Sequence, residues 1–173
     1  LTSTQSTSTA TLTPIYNDGL IRADSLTVTA SGGASSTIVT LGAITINAGG
    51  GNISVTANNL AAGANMGITQ TGAITNNAVG SNISFISNNR ISQTGAIALV
   101  ANTGSAAANI TYDTTTGNNT STITSAVPTV AAGSTVAINY IVRTNGAIIS
   151  VPAVTVPGYI LLDNTCLGCT TRT

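Results

Sequence analysis

The sequence predicts an all-β solenoid, in which short strands wind into coils and each coil stacks on the one before it. The first observation is an internal repeat: residues 42–59 return as residues 72–89, with twelve of the eighteen positions identical, and a decayed copy follows from Gly95 to Thr111. A unit of roughly 20 to 50 residues cannot bury its own apolar face and must stack on its neighbours. We expect about five to seven coils, which at roughly 4.8 Å per coil form a body some 30 Å long.

The second observation is the composition. Hydrophobic residues make up 42% of the chain but aromatic residues only 3%, and there is no Trp. Small β-branched side chains can fill thin stacked layers, whereas a large compact core is usually anchored by aromatic rings. Charged residues make up only 5%, the formal net charge is zero, and the chain contains no Lys, Glu or His. We therefore expect no nucleic-acid partner, since a basic surface stripe is missing, and no membrane insertion, since no apolar run approaches about 18 residues.

The third observation is alternation of apolar and polar residues, which is typical of half-buried strands. Gly and Asn lie between the alternating stretches and suit the corners of a solenoid, because both tolerate positive φ. The clearest inward sets are Leu26, Val28 and Ala30; Ile44, Ile46 and Ala48; Ile53, Val55 and Ala57; Ile97, Leu99 and Ala101; and Val136, Ile138, Tyr140 and Val142. The repeat predicts stacked core positions at Ile44, Ile53, Ile74, Ile83, Ile97 and Ile110.

Four regions follow from these patterns. Residues 1–19 are a Ser/Thr-rich extended arm or edge strand, and residues 20–112 form the solenoid repeats, with a loop bulging around 60–66. A polar break covers 113–122. Residues 123–173 are non-repetitive and contain three of the four prolines, which suit edge or terminating strands. We expect this last region to be a cap or a contact to another subunit.

Several residue types have both a chemical and a structural interpretation. Asn-x-Ser/Thr occurs at Asn52, Asn82, Asn109, Asn118 and Asn119, where repeated Asn can bond the corner backbone or form a side-chain ladder between coils. The four tyrosines could stack on sugars, although packing in the core or at an edge is the simpler interpretation. Asp113 with Asn118 and Asn119 could bind calcium, but a solvated turn is favoured because the calcium-binding nonapeptide signature is missing.

Cys166 and Cys169 form a Cys-x-x-Cys pair. A redox site would need a thioredoxin-like βαβ pattern, and zinc would need about four ligands. We therefore predict a small structural disulfide. Asp18 and Asp24 are the only close pair of acids, and no Glu or His can assist them in glycoside cleavage. We predict no catalytic residue, no metal and no cofactor.

The phrases Gly-Ala-Ile-Thr-x-Asn-Ala and Gly/Ser-Asn-Ile-Ser, with Gln-Thr-Gly-Ala-Ile between them, resemble the repeats of filamentous haemagglutinin-like adhesins over roughly residues 20–112. The resemblance implies a right-handed parallel β-helix, export through an outer-membrane two-partner secretion pore, and display as a surface fibre. It transfers no binding residues, because the shared motif is the scaffold repeat. Those adhesins are far longer than the 173 residues here.

We accordingly expect a secreted, extracellular or cell-surface protein that is structural rather than enzymatic. One hypothesis is a segment of a long haemagglutinin-like adhesin, whose partners are neighbouring solenoid segments and host or surface glycans. The alternative is a small subunit that stacks on copies of itself in a homopolymeric filament, since the open ends of a β-helix carry unpaired backbone. A polysaccharide-cleaving β-helix is a more distant alternative.

Overall fold

Eighteen short strands make up the regular structure of the described part of the chain. The computed structural model describes residues 2–4, 15–31, 39–58, 67–99, 108–116, 122–126, 128–130, 138–145, 148–151, 153 and 158–164, and every regular element within these ranges is a β-strand. In chain order the strands are β1 (Thr2–Thr4), β2 (Ile15–Asn17), β3 (Ile21–Ala23), β4 (Leu26–Ser31), β5 (Val39–Leu41), β6 (Ile44–Ile46), β7 (Ile53–Asn58), β8 (Gly67–Gln70), β9 (Ile74–Asn76), β10 (Ile83–Ser87), β11 (Arg90–Gln93), β12 (Ile97–Leu99), β13 (Ala108–Thr114), β14 (Thr122–Thr124), β15 (Pro128–Val130), β16 (Ile138–Thr144), β17 (Ile148–Ser150) and β18 (Ile160–Asn164).

The strands form three parallel sheets, and the chain visits each sheet in turn. Sheet A has seven strands in the order β1-β4-β7-β10-β13-β16-β18, sheet B has six in the order β2-β5-β8-β11-β14-β17, and sheet C has five in the order β3-β6-β9-β12-β15. From β1 to β15, each of five coils therefore contributes one strand to each of three walls around a common core, and β16 to β18 extend sheets A and B. The predicted all-β parallel solenoid is confirmed, and seven layers at about 4.8 Å make its longest wall roughly 30 Å long.

The core consists of columns of apolar side chains that stack in register from coil to coil. In sheet C, Ile44 pairs with Ile74 and Ile74 with Ile97; in sheet A, Ile53 pairs with Ile83 and Ile83 with Ile110. All six side chains are buried. These are the residues that the repeat predicts as stacked positions, and each is covered by the coil above and the coil below.

Ala48 departs from the predicted inward set. It is exposed, because β6 ends at Ile46 and the chain then turns. In that turn the amide of Gly50 donates to the carbonyl oxygen of Asn47 at 3.1 Å. The alternation from Ile44 to Ala48 is thus an inward pattern for its first two members only.

Asn76 lies inside the core of the solenoid, although an Asn between alternating stretches favours a corner. It is the last residue of β9, pairs with Ile46 of the coil below, and is only 1% exposed. Its Oδ1 accepts a hydrogen bond from the amide of Ala78 at 3.0 Å, and its Nδ2 donates to Ser81 Oγ. Burial of this carboxamide is tolerated because both ends have partners.

The solenoid continues beyond the sequence repeats. Asp113 and Thr114, at the start of the expected polar break, are the last residues of β13, and residues 117–121 lie outside the described part. Strands β14 to β18 extend the same three sheets, so the described residues from 122 to 164 share the coil architecture without sharing the repeat. Residues 1–19 contribute the end strands β1 and β2, while the predicted loop around 60–66 lies outside the described residues.

A column of glycines forms the corner between sheets B and C. A Cβ on Gly95 would lie 1.7 Å from the carbonyl oxygen of Gly72, and a Cβ on Gly72 would lie 2.2 Å from the amide nitrogen of Ala43. Gly42, one coil further down, is equally close to the backbone of Asp18. Only glycine lets the backbones of successive coils approach this closely, which explains why Gly-Ala-Ile is the strongest phrase of the repeat.

Candidate functional site

An asparagine ladder runs along the start of sheet A. Asn52 Oδ1 accepts the amide of Asn82 at 2.7 Å, and Asn82 Oδ1 accepts both the amide and Nδ2 of Asn109 at 2.9 and 3.0 Å. Asn109 Oδ1 then accepts Nδ2 of Asn139 at 2.9 Å. The repeated Asn thus form both of the arrangements considered for them, a bond to the backbone and a side-chain ladder, and the ladder extends one coil beyond the repeat. Three Asn-x-Ser/Thr sites therefore use their carboxamides to join coils.

The core contains a polar column that sequence reasoning missed. Gln70 and Gln93 stack in register at the end of sheet B, and neither side chain is exposed. Gln93 Nε2 donates to Gln70 Oε1 at 2.9 Å and to the carbonyl oxygen of Gly95, while Gln70 Nε2 donates to the carbonyl oxygen of Gly42 at 2.9 Å. The two carboxamides thus hold the glycine corner. The available signal was the repeated Ile-x-Gln spacing, which places each Gln on the same face as a core Ile.

Tyr112 and Tyr140 belong to the core rather than to a sugar-binding surface. The ring of Tyr112 stacks on Phe85 with centroids 5.5 Å apart and an interplanar angle of 14°, and its centroid is 5.7 Å from that of Tyr140. The Tyr112 hydroxyl donates to Gln93 Oε1 at 2.9 Å, and the Tyr140 hydroxyl is hydrogen-bonded to Ser125 Oγ. Every polar end of this aromatic stack therefore has a partner inside the core.

Burial changes the acidity of both core tyrosines. The pKa of Tyr112 is raised well above its usual value, mainly by burial and further by the neighbouring Tyr140. Burial also raises the pKa of Tyr140, while its hydrogen bond with Ser125 acts in the opposite direction. Both phenols are consequently held in their neutral form at neutral pH, and they serve as packing groups with a hydrogen-bonding end.

The acids near the N-terminal end of the solenoid occupy different corners. Asp18 lies between β2 and β3 and accepts a hydrogen bond from the hydroxyl of Tyr16 at 3.2 Å, which raises the pKa of that exposed tyrosine. Asp24 lies between β3 and β4 and accepts Nδ2 of Asn47 at 2.9 Å. Because β3 separates them, the structure does not bring these two carboxylates together as a glycosidase pair would require.

Three charged residues share one row on the outer face of sheet A. Asp113 pairs with Arg143, and Arg143 pairs with Asp163, so the charges alternate along three neighbouring strands. Asp113 Oδ1 also accepts the amide and the hydroxyl of Thr115 at 2.8 and 2.6 Å. In the described part of the chain, no group of three His, Cys, Asp or Glu could hold a metal ion. The other calcium candidates, Asn118 and Asn119, and the predicted disulfide of Cys166 and Cys169 lie outside the described residues.

Hydroxyl groups dominate the outer walls between the ends. In sheet B the outward positions of four successive strands stack in register, and in sheet C Thr45 pairs with Thr75 in the same way. These short side chains are uncharged, and the charges on the two walls come from Arg90 in β11 and from Arg22, which pairs with Thr45. The sheet B column consists of Thr40, Thr69, Ser92 and Thr124.

Exposed large apolar side chains concentrate at the two ends of the solenoid. Tyr16 and Leu20, in the first turn, are 65% and 52% exposed, and Tyr159, Ile160 and Leu162, in the last, are 52%, 47% and 55% exposed. Ile160 and Leu162 pair with the buried Tyr140 and Val142, so they continue inward columns of the core. Their exposure is not a surface feature of the wall; it marks the open end of the core. Elsewhere in the described ranges, only Val79 is a comparably exposed large apolar residue.

Comparisons with known proteins leave the fold and the geometry as the basis for function. No protein family, no curated protein and no solved structure matches this chain. The described residues contain no helix long and apolar enough to cross a membrane. The class that the structure defines is therefore a three-sided parallel β-solenoid.

Proposed function

We propose that this chain is a length of an extracellular β-solenoid fibre on a bacterial surface, structural and adhesive rather than enzymatic, of the filamentous haemagglutinin-like kind. The observation that carries the proposal is the uncovered core at the last described turn, where Ile160 and Leu162 continue inward columns but are 47% and 55% exposed. In an isolated globular domain these apolar side chains would remain in contact with water. A further coil stacked on this turn would cover both side chains.

The walls support the same function. Uncharged Thr and Ser side chains on the outer strands can lie against a surface or a neighbouring fibre without charge repulsion. They also present hydroxyl groups at the regular strand spacing to glycans. The asparagine ladder joins four successive coils and the glutamine pair joins two, so side-chain hydrogen bonds run along the axis of the proposed fibre.

A second candidate is a small subunit of a homopolymeric filament. It is favoured by the fact that both end turns of the chain expose apolar groups, so the end of one copy could cover the start of the next. Electron micrographs of the purified chain separate the two candidates. Short single rods of about 30 Å support the adhesin segment, whereas unbranched fibres of uniform width support the filament subunit.

The experiment that tests the main proposal is immunogold labelling of the bacterium that produces the chain, with antibodies raised against the purified protein. Gold on fibres that project from intact cells is the expected result. A strain lacking the coding sequence is the control. Labelling confined to the interior of sectioned cells would refute the extracellular proposal whatever the micrographs of the purified chain show.

A further inference from the structure

Three Asn-x-Ser/Thr tripeptides lie at the same register position on successive strands of sheet A. Residues 52–54 and 82–84 are both Asn-Ile-Ser, and residues 109–111 are Asn-Ile-Thr. The Ile of each tripeptide is buried, so the Asn before it and the hydroxyl residue after it share the outer face. This tripeptide is the acceptor signal for N-glycosylation, which attaches a bulky sugar at an accessible site. Because the local sequence is nearly the same in all three, only the surroundings of each Asn distinguish them.

Those surroundings set Asn52 apart. Asn52 is exposed, whereas Asn82 and Asn109 are partly buried. Asn82 lies between the other two members of the ladder, and Asn109 Nδ2 already donates to Asn82 Oδ1 at 3.0 Å. Asn52 Oδ1 accepts the amide of Asn82 at 2.7 Å, but its Nδ2 donates to no residue within the described ranges. The neighbour of Asn52 in the coil below is the short, exposed Ser25, which precedes the paired Leu26, so this side of Asn52 has room for a large group.

We propose that Asn52 is an N-glycosylation site, which takes a sugar from a glycosyl diphosphate donor. The Nδ2 atom forms a bond to the anomeric carbon of the sugar, and the bond from that carbon to the diphosphate oxygen breaks. The diphosphate leaves with the electron pair, and the amide proton passes to a base of the glycosyltransferase. The Oδ1 of Asn52 is unchanged by this reaction and still accepts the amide of Asn82, so the ladder is preserved. The inference goes beyond the proposed function, because neither the fold nor a fibre requires a sugar.

The test is mass spectrometry of the full chain purified from the bacterium that produces it, with peptide fragmentation that keeps sugars attached. We expect the mass of one or more sugars on Asn52 and none on Asn82. Sugars added one at a time indicate a nucleoside-diphosphate donor, whereas a single fixed block of sugars indicates a lipid-diphosphate donor. Either result supports the site.

Serine variants provide matched controls, because they alter the acceptor signal and leave the asparagine ladder in place. Ser54→Ala should abolish the modification of Asn52, and Ser54→Thr should keep it. Ser84→Ala makes the same change in the Asn82 tripeptide and should leave the attached mass as it is. The inference is overturned if Asn52 carries no sugar, if Asn82 is modified to the same extent, or if the sugar remains in Ser54→Ala. The immunogold result depends on the location of the chain and not on this modification, so the two proposals can fail separately.

Discussion

The buried carboxamide of Gln93 should contribute several kcal/mol to the free energy of unfolding. An apolar residue of similar size nevertheless fits the same column. Leu41 is buried at the corresponding position two coils earlier, so Gln93→Leu fits sterically. The substitution leaves the Tyr112 hydroxyl and the amide of Ala126 without the oxygen to which both now donate at 2.9 Å. At about 1–3 kcal/mol for each buried unsatisfied group, these two donors alone should lower the free energy of unfolding by about 2–6 kcal/mol. Loss of the Nε2 donor to Gln70 Oε1 and to the carbonyl oxygen of Gly95 adds to this decrease.

A double-mutant cycle separates the orphaned hydroxyl from general damage. Tyr112→Phe alone should cost about 0.5–1.5 kcal/mol, because Gln93 keeps the amide of Ala126 as a donor. In the Gln93→Leu background the same change should stabilise the protein, because it removes the group that has lost its acceptor.

Equilibrium unfolding in urea, followed by far-ultraviolet circular dichroism, measures each free energy. Thr94→Ala is the matched control, since this neighbouring side chain is exposed and should change stability by less than about 0.5 kcal/mol. Strictly additive effects of Gln93→Leu and Tyr112→Phe would refute the buried network.

Three further predictions test the core, the corner and the buried phenol. Ile83→Asp should unfold the chain or lower its thermal midpoint sharply, because it places an unpaired charge between two buried isoleucines. Ser84→Asp on the outer face should change the midpoint little. Equal loss of stability in the two variants would reverse the assignment of inner and outer faces. Gly95→Ala should strongly destabilise the corner, whereas Gly51→Ala, where a Cβ meets its nearest neighbour at 3.5 Å, should be tolerated in the same melting experiment. Because burial raises the folded-state pKa of Tyr112, its contribution to stability is complete below the unfolded value of about 10 and is lost as pH rises from there toward the folded value. Urea midpoints from pH 9 to 11 should therefore fall less steeply for Tyr112→Phe, and parallel slopes would contradict the assigned burial.

Alternation and repetition predicted the inward columns because both arise from local backbone geometry. Ile53 and Ile83 could be aligned by their spacing alone, and they do pair. The same reasoning placed Ala48 inside, since alternation does not show where a strand ends. It also ended the predicted solenoid repeats at residue 112, where the last recognisable copy ends. The strands from β14 onward keep the coil with different residues, because a column needs a suitable volume rather than an identical side chain.

The polar interior was harder to predict from sequence. A buried Gln is tolerated only if its carboxamide has specific hydrogen-bond partners. Those partners lie in other coils and are distant in sequence, as Gly42 is for Gln70, so the sequence pattern does not reveal them. The open end was equally hidden. In the sequence, Ile160 and Leu162 look like ordinary strand residues. Only their register with the buried Tyr140 and Val142 shows that they lie at the exposed end of two inward columns.

Stacking the strands across the solenoid has a mechanical consequence. The inter-strand hydrogen bonds run roughly along the long axis, so tension on the fibre pulls every bond between two successive coils at the same time. A coil boundary that is bonded on all three walls shares the load among them. The β13–β16 boundary pairs seven residues on a single wall, whereas β12 and β15 pair three. Among the described strands, β18 is bonded on sheet A alone, so under a steady pull rupture of the described coils should begin there and advance inward one coil at a time.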